Sequence, residues 1–97
     1  MPPQFPANSS WRVLATQEPP KWSGDLDDDC TAVWAGFMLR AEWMDDGDWW
    51  WCVYEDGSSE QIASSNDLDA PRCTTGEAAR RAAEQAARRL LGLGPEA

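Results

Sequence analysis

Two Asp-Gly dipeptides inside an aromatic-rich run constrain this chain more than anything else in it. From Val33 the sequence passes Trp34, Phe37, Leu39 and Trp43 to reach Asp46-Gly47. It continues through Trp49-Trp50-Trp51-Cys52-Val53-Tyr54 to Asp56-Gly57, and then to Gln61-Ile62-Ala63. A type I′ turn needs positive φ at both central residues, which Asp-Gly tolerates, so each dipeptide joins two neighbouring antiparallel strands. Two in succession predict a three-stranded meander with strands over about 31–44, 48–55 and 60–65.

A two-residue turn at Asp46-Gly47 sets Met44 opposite Trp49, Trp43 opposite Trp50, Glu42 opposite Trp51 and Ala41 opposite Cys52. Strand side chains alternate between faces. One face then carries Phe37, Leu39, Ala41, Trp43, Trp50, Cys52, Tyr54 and Ala63, without a charge. The other mixes Met38, Arg40, Glu42 and Met44 with Trp49, Trp51, Val53 and Ile62. The uncharged face reads as core. With 97 residues and seven tryptophans, large rings can replace a bigger aliphatic core. At roughly 25 cal/mol per Å², one well-buried indole contributes about 4–6 kcal/mol before entropy.

The layer that covers this sheet is legible near the C-terminus. Thr74-Thr75-Gly76-Glu77 has the form of a capping box, in which a Thr hydroxyl accepts from the third helical amide and Glu77 reaches back. Ala78, Ala79, Ala82, Ala83, Ala86, Ala87, Leu90 and Leu91 then share one stripe. Gly92 and Pro95 supply the stop, so a helix is predicted over about 75–91. An alanine stripe lets a helix approach a sheet closely, with Trp43, Trp50 and Phe37 filling the gap. The expected fold is a small two-layer α+β domain: a three- to four-stranded antiparallel meander packed by one C-terminal helix. That domain spans 25–97. Residues 1–24 form a proline-rich arm in which the alternation over 11–16 offers a short extra strand.

Charge is unevenly placed. The net charge is −9, yet residues 25–69 alone hold thirteen Asp and Glu against the single Arg40. Such a field repels nucleic acid and anionic membranes and attracts basic surfaces. Asp25, Asp27 and Asp29 open like a calcium loop, but Cys30 stands where the sharp turn needs glycine and Gly36 where a bidentate Glu belongs. Cys30, Cys52 and Cys73 are widely spaced and the chain has no histidine, so no zinc set is formed. No cofactor is expected. An odd cysteine count without a signal-like segment points to a reducing cytoplasm. With no histidine, one lysine and carboxylates gathered in solvated turns, no nucleophile–base arrangement emerges, and the chain is not read as an enzyme.

The β-β-β-α order and Cys73-x-Thr75-Gly76-Glu77-Ala78 resemble the HicB antitoxin domain, although Arg72 replaces its glycine before the cysteine. The Ala-Ala-Arg-Arg-Ala-Ala rhythm is similar to the last helix of double-stranded-RNA-binding domains. Gly76-Glu77 stands where those domains carry lysines, so RNA contact does not follow. In size, acidity and lack of chemistry the chain resembles small phage-encoded antagonists, the anti-CRISPR and antirestriction proteins. That resemblance implies a non-enzymatic inhibitor that offers carboxylates where a nucleic-acid-handling protein expects phosphates.

On that reading the partner is a basic protein, met by Asp45, Asp46, Asp48, Glu55, Asp56 and Glu60 at the turns, with Asp27, Asp28 and Asp29 as a second cluster. Trp49 and Trp51 are the expected apolar anchors. Two plainer readings stand beside it. Turn acids also keep edge strands soluble, and the arm could fold over Trp49 and Trp51 with Trp11 or Trp22. The alternative function is an antitoxin-like or scaffold interaction domain that forms a homodimer; a small-ligand binder using the aromatic face is a third.

Overall fold

The computed structural model describes residues 9–67, 70 and 72–93. The prolines within 1–8 and the stop expected at Pro95 lie outside them. The elements are α1 (Ser9–Ala15), β1 (Ser23–Asp25), β2 (Asp29–Trp34), β3 (Phe37–Asp45), β4 (Asp48–Glu55), β5 (Gln61–Ser64) and α2 (Gly76–Leu90). All neighbouring strands are antiparallel, in the order β1-β2-β3-β4-β5. Helix α2 packs chiefly on β3 and β4. The expected two-layer α+β meander with a C-terminal helix is the fold, with five strands rather than three or four.

The extra strands come from two turns. The run over 31–44 is two strands folded at Ala35-Gly36, which have φ of 54° and 81°. Consecutive positive φ is the type I′ habit, but alanine seldom takes it. The acidic stretch after Gly24 is a second hairpin: Asp25 pairs with Asp29 around a three-residue turn, and the Asp25 carboxylate accepts from the Asp27 amide at 2.9 Å.

Strand β4 is inverted relative to the sequence reading. Asp45 does pair with Asp48, but a bulge between Trp43 and Asp45 places Trp43 opposite Trp49 and Ala41 opposite Trp51. One inserted residue sends every later side chain to the other face. Trp49 (8% exposed), Trp51 (1%) and Val53 (0%) therefore join Phe37, Leu39 and Ala41 beneath α2, while Trp50 and Tyr54 lie opposite and Trp43 is exposed. The bulge buries two indoles and a valine where the unbulged register would bury one indole, a thiol and a phenol. That is the more apolar choice.

The alanine stripe behaves as expected. Ala79, Ala83, Ala86 and Ala87 are buried against the rings, and a Cβ on Gly76 would fall 2.9 Å from the Trp49 ring. Thr75 is the N-cap, its hydroxyl accepting from Ala78 N at 3.1 Å. Glu77 thus sits one position too early to complete the box. At the other end the Gly92 amide donates to the Arg89 carbonyl and the Leu93 amide to the Arg88 carbonyl, at 3.0 and 2.9 Å. This is the Schellman pattern, with Gly92 in the left-handed region.

The expected strand over 11–16 is replaced by α1. Its alternation was too short to decide between periods, and one residue settles the outcome. Arg12 is 4% exposed and donates from Nε to the Ala35 carbonyl and from Nη2 to the Gly36 carbonyl, both at 2.8 Å. Its Nη2 also reaches Glu55 Oε1, and its guanidinium lies 4.5 Å from the Phe37 ring centroid. A helix aims this side chain inward while Trp11 and Leu14 stay exposed.

Candidate functional site

A meander divides its turns between two ends of the sheet, and this sorts the acidic residues. The β1–β2 turn (Leu26, Asp27, Asp28) and the β3–β4 turn (Asp46, Gly47) share one end. The Ala35-Gly36 turn and the β4–β5 loop, with Asp56 and Glu60, occupy the other. The candidate set is therefore not one surface: Asp27, Asp28, Asp45, Asp46 and Asp48 come together, and Glu55, Asp56 and Glu60 lie a strand length away.

Partnering sorts them further. Glu55 lies on the helix-facing side of β4 and is held by Arg12. Asp29 forms a two-pronged pair with Arg40, with N···O distances of 3.0 and 2.9 Å. That hydrogen-bonded pair holds the Asp29 carboxyl below its usual range despite partial desolvation, and raises Arg40. Arg40 also reaches Glu42 at 3.5 Å, and Arg72 neutralises Asp48 at 3.2 Å. Among the described residues, Asp27, Asp28, Asp45 and Asp46 at one end and Asp56 and Glu60 at the other are exposed and have no ion pair. The same holds for Asp25 beside the first group, whose carboxylate caps its own turn.

The same end displays apolar surface. Trp43 is 42% exposed, Met44 51% and Leu26 47%. The bulge at 43–45 turns Met44 out of the alternation, and the Trp43 amide donates to the Asp28 carbonyl at 2.6 Å, tying the two turns together. Arg80 of α2 donates to the Leu26 carbonyl at 2.9 Å and fixes the β1–β2 turn from below. The result is a braced surface of three large apolar side chains among four unneutralised carboxylates.

Trp49 and Trp51 are the correction to the expected site. Both are core, and the layer over them is α2. Trp22 of the arm sits beside that helix, donating from Nε1 to Glu84 Oε1 at 3.0 Å. The anchors belonging to this end are Trp43, Met44 and Leu26. The register read from the sequence puts Trp43 in the core, and nothing local marks Leu26 as exposed apolar surface. The neighbouring Met44-Asp48-Trp50 wall does open into a cleft of about 430 Å³.

The opposite, helix-free sheet face carries a shallow groove of about 400 Å³, lined in part by Met38, Arg40, Tyr54 and Ser58. Beneath it the Cys52 thiol is pushed up by burial. The three cysteines are buried and none is in a disulfide. Among the described residues no three His, Cys, Asp or Glu side chains converge as a metal set, and no described helix is long and apolar enough to cross a membrane. Comparison with protein-family models, with curated proteins and with solved structures returned no match.

Proposed function

We propose that this protein is a non-enzymatic inhibitor that places the acidic end of its sheet on the basic nucleic-acid-binding site of another protein. Its mode of action is that of the anti-CRISPR and antirestriction class: carboxylates occupy positions meant for phosphates. The observation that carries the reading is the coincidence, at one end, of four unneutralised carboxylates with exposed Trp43, Met44 and Leu26. The charge steers encounter and excludes nucleic acid itself, while the apolar side chains give a complex its residence time. A cytoplasmic setting is in keeping with three cysteines that form no disulfide.

Immobilised protein incubated with bacterial lysate, and washed at low and at high salt, tests this directly. The expected result is retention of a nucleic-acid-binding protein that is released by salt or by competing duplex DNA. The variant D27N/D28N/D45N/D46N should fold and lose that retention. A bound protein indifferent to salt, competitor and charge removal would overturn the proposal.

One observation favours a second reading, an antitoxin-like or scaffold domain that pairs with its own copy. The helix-free face leaves Val33 62% exposed beside its cross-strand neighbour Met38, with Tyr54 half-buried on the next strand. Light scattering after size exclusion separates the two: a monomer supports the inhibitor, and a concentration-independent dimer supports self-pairing.

A further inference from the structure

The end described above does more than carry charge, because its exposed indole stands among the carboxylates. Resting on the proposed inhibitor reading, we infer that this end recognises arginine: a segment of the partner rich in that residue lays a guanidinium against the Trp43 ring while the carboxylates of the two turns receive its N–H groups. Three features of this end select that occupant.

The first is charge. Asp27, Asp28, Asp45 and Asp46 have no cationic partner among the described residues, so a cation gains their attraction without displacing an internal pair. The cations at this end are already engaged: Arg80 with the Leu26 carbonyl at 2.9 Å, Arg40 with Asp29 and Arg72 with Asp48. Exposed Glu77 at the start of α2 adds to the negative field on that side.

The second is the ring. An indole nearly half exposed offers a flat, electron-rich face, which attracts cations and suits a planar one best. Guanidinium is planar and weakly hydrated, and it matches a carboxylate through two parallel N–H groups; an ammonium is a compact point charge that holds its water. The third is the apolar rim. Leu26 and Met44, exposed at the same end, offer surface that can cover the methylene stem of a long cationic side chain. A lone metal ion would use neither ring nor rim.

Rigidity supports the assignment. The Trp43 amide is anchored to the Asp28 carbonyl, the Asp45 carboxylate accepts from the Asp46 amide at 2.8 Å, and the Asp27 amide is held by Asp25. A partner therefore meets a surface already in place, and little ordering opposes binding.

Calorimetric titration of the full chain with an arginine-only peptide and a lysine-only peptide of equal length, at about 0.15 M salt where long-range attraction is screened, reads the preference. The arginine peptide should bind about tenfold more tightly, and W43A should bring the ratio to about one while D45N/D46N weakens both peptides. On the unaltered protein, the Trp43 indole N–H resonance should move on adding the arginine peptide while that of buried Trp51 stays put. Equal affinity for the two peptides would overturn the arginine assignment and leave charge docking standing. Binding of neither peptide would overturn both. A preference that survives W43A, or an unmoved Trp43 resonance, would also overturn it.

Discussion

The two ends of the sheet contain acidic residues of the same kind put to opposite uses. At the Ala35-Gly36 end, Glu55 is drawn under α1 and bonded to a buried arginine, which also closes the turn carbonyls. At the Asp46-Gly47 end, Asp27, Asp28, Asp45 and Asp46 face water at the same end as three exposed apolar side chains, while Asp29 and Asp48 are paired with Arg40 and Arg72. At the first end Glu55 serves cohesion, while Asp56 and Glu60 stay exposed and have no ion pair among the described residues. The second leaves Asp27, Asp28, Asp45 and Asp46 available. Acidity counted along a sequence cannot separate the two uses, because an ion pair depends on which distant cation the fold delivers. Arg12 and Glu55 are 43 residues apart in the chain.

The sharpest way to break this contrast is to remove the internal cation. Replacing Arg12 with methionine keeps the bulk over Phe37 but strands a carboxylate and two turn carbonyls, and breaking a buried pair costs about 3–5 kcal/mol. Because Glu55 is one-third exposed, about 3 kcal/mol is expected in urea denaturation. The added change E55Q should recover part of it.

Next in size is G36A. Gly36 has φ of 81°, and a Cβ there would meet the Arg12 guanidinium at 2.7 Å, so strain and displacement together should cost about 1–3 kcal/mol. G47A, at the open end, has nothing within 4 Å to displace. It bears only the backbone strain and should melt above G36A.

A smaller effect separates Asp29 from the unneutralised aspartates. Its folded-state pKa is lowered from 3.8 by Arg40. The pair therefore stabilises the fold above the unfolded pKa and loses that contribution as pH falls through the lower folded one. Acid titration of stability below about pH 4 should be shallower in D29N, by less than 1 kcal/mol for so exposed a pair. Smallest of all is the stability change in D27N/D28N/D45N/D46N. With no ion pair to lose, the Asp25 acceptor unchanged and an amide oxygen still able to accept at position 45, relief of repulsion should leave the melting point within a few degrees. A large drop would show that these acids, too, serve cohesion.

Much of the fold was readable because its determinants are local. Asp46-Gly47 and Asp56-Gly57, the threonine cap and the alanine stripe each act within a turn or two of chain. Ala35-Gly36 escaped notice since alanine is a poor carrier of positive φ, and its turn is held from outside by Arg12. The β4 inversion is subtler. The turn itself was placed correctly, but the Met44 bulge is rewarded only when Trp49, Trp51 and Val53 meet α2, an event nothing near residue 44 announces. For the candidate site, the aspartates of the two turns were identified and their apolar companions were not. A one-residue slip exchanges inward and outward tryptophans.

By itself the sequence determined the parts: hairpins where each Asp-Gly supplies a glycine at positive φ, a helix between its caps, and a strongly acidic chain. Tertiary structure alone decided which indoles are core, which carboxylates are neutralised, and that two acidic turns far apart in the chain share an end with Trp43. Backbone preference and periodicity are set by near neighbours. Burial and ion pairing are set by whatever surface arrives from elsewhere, and here what arrives is α2 over β4 and Arg12 over Glu55.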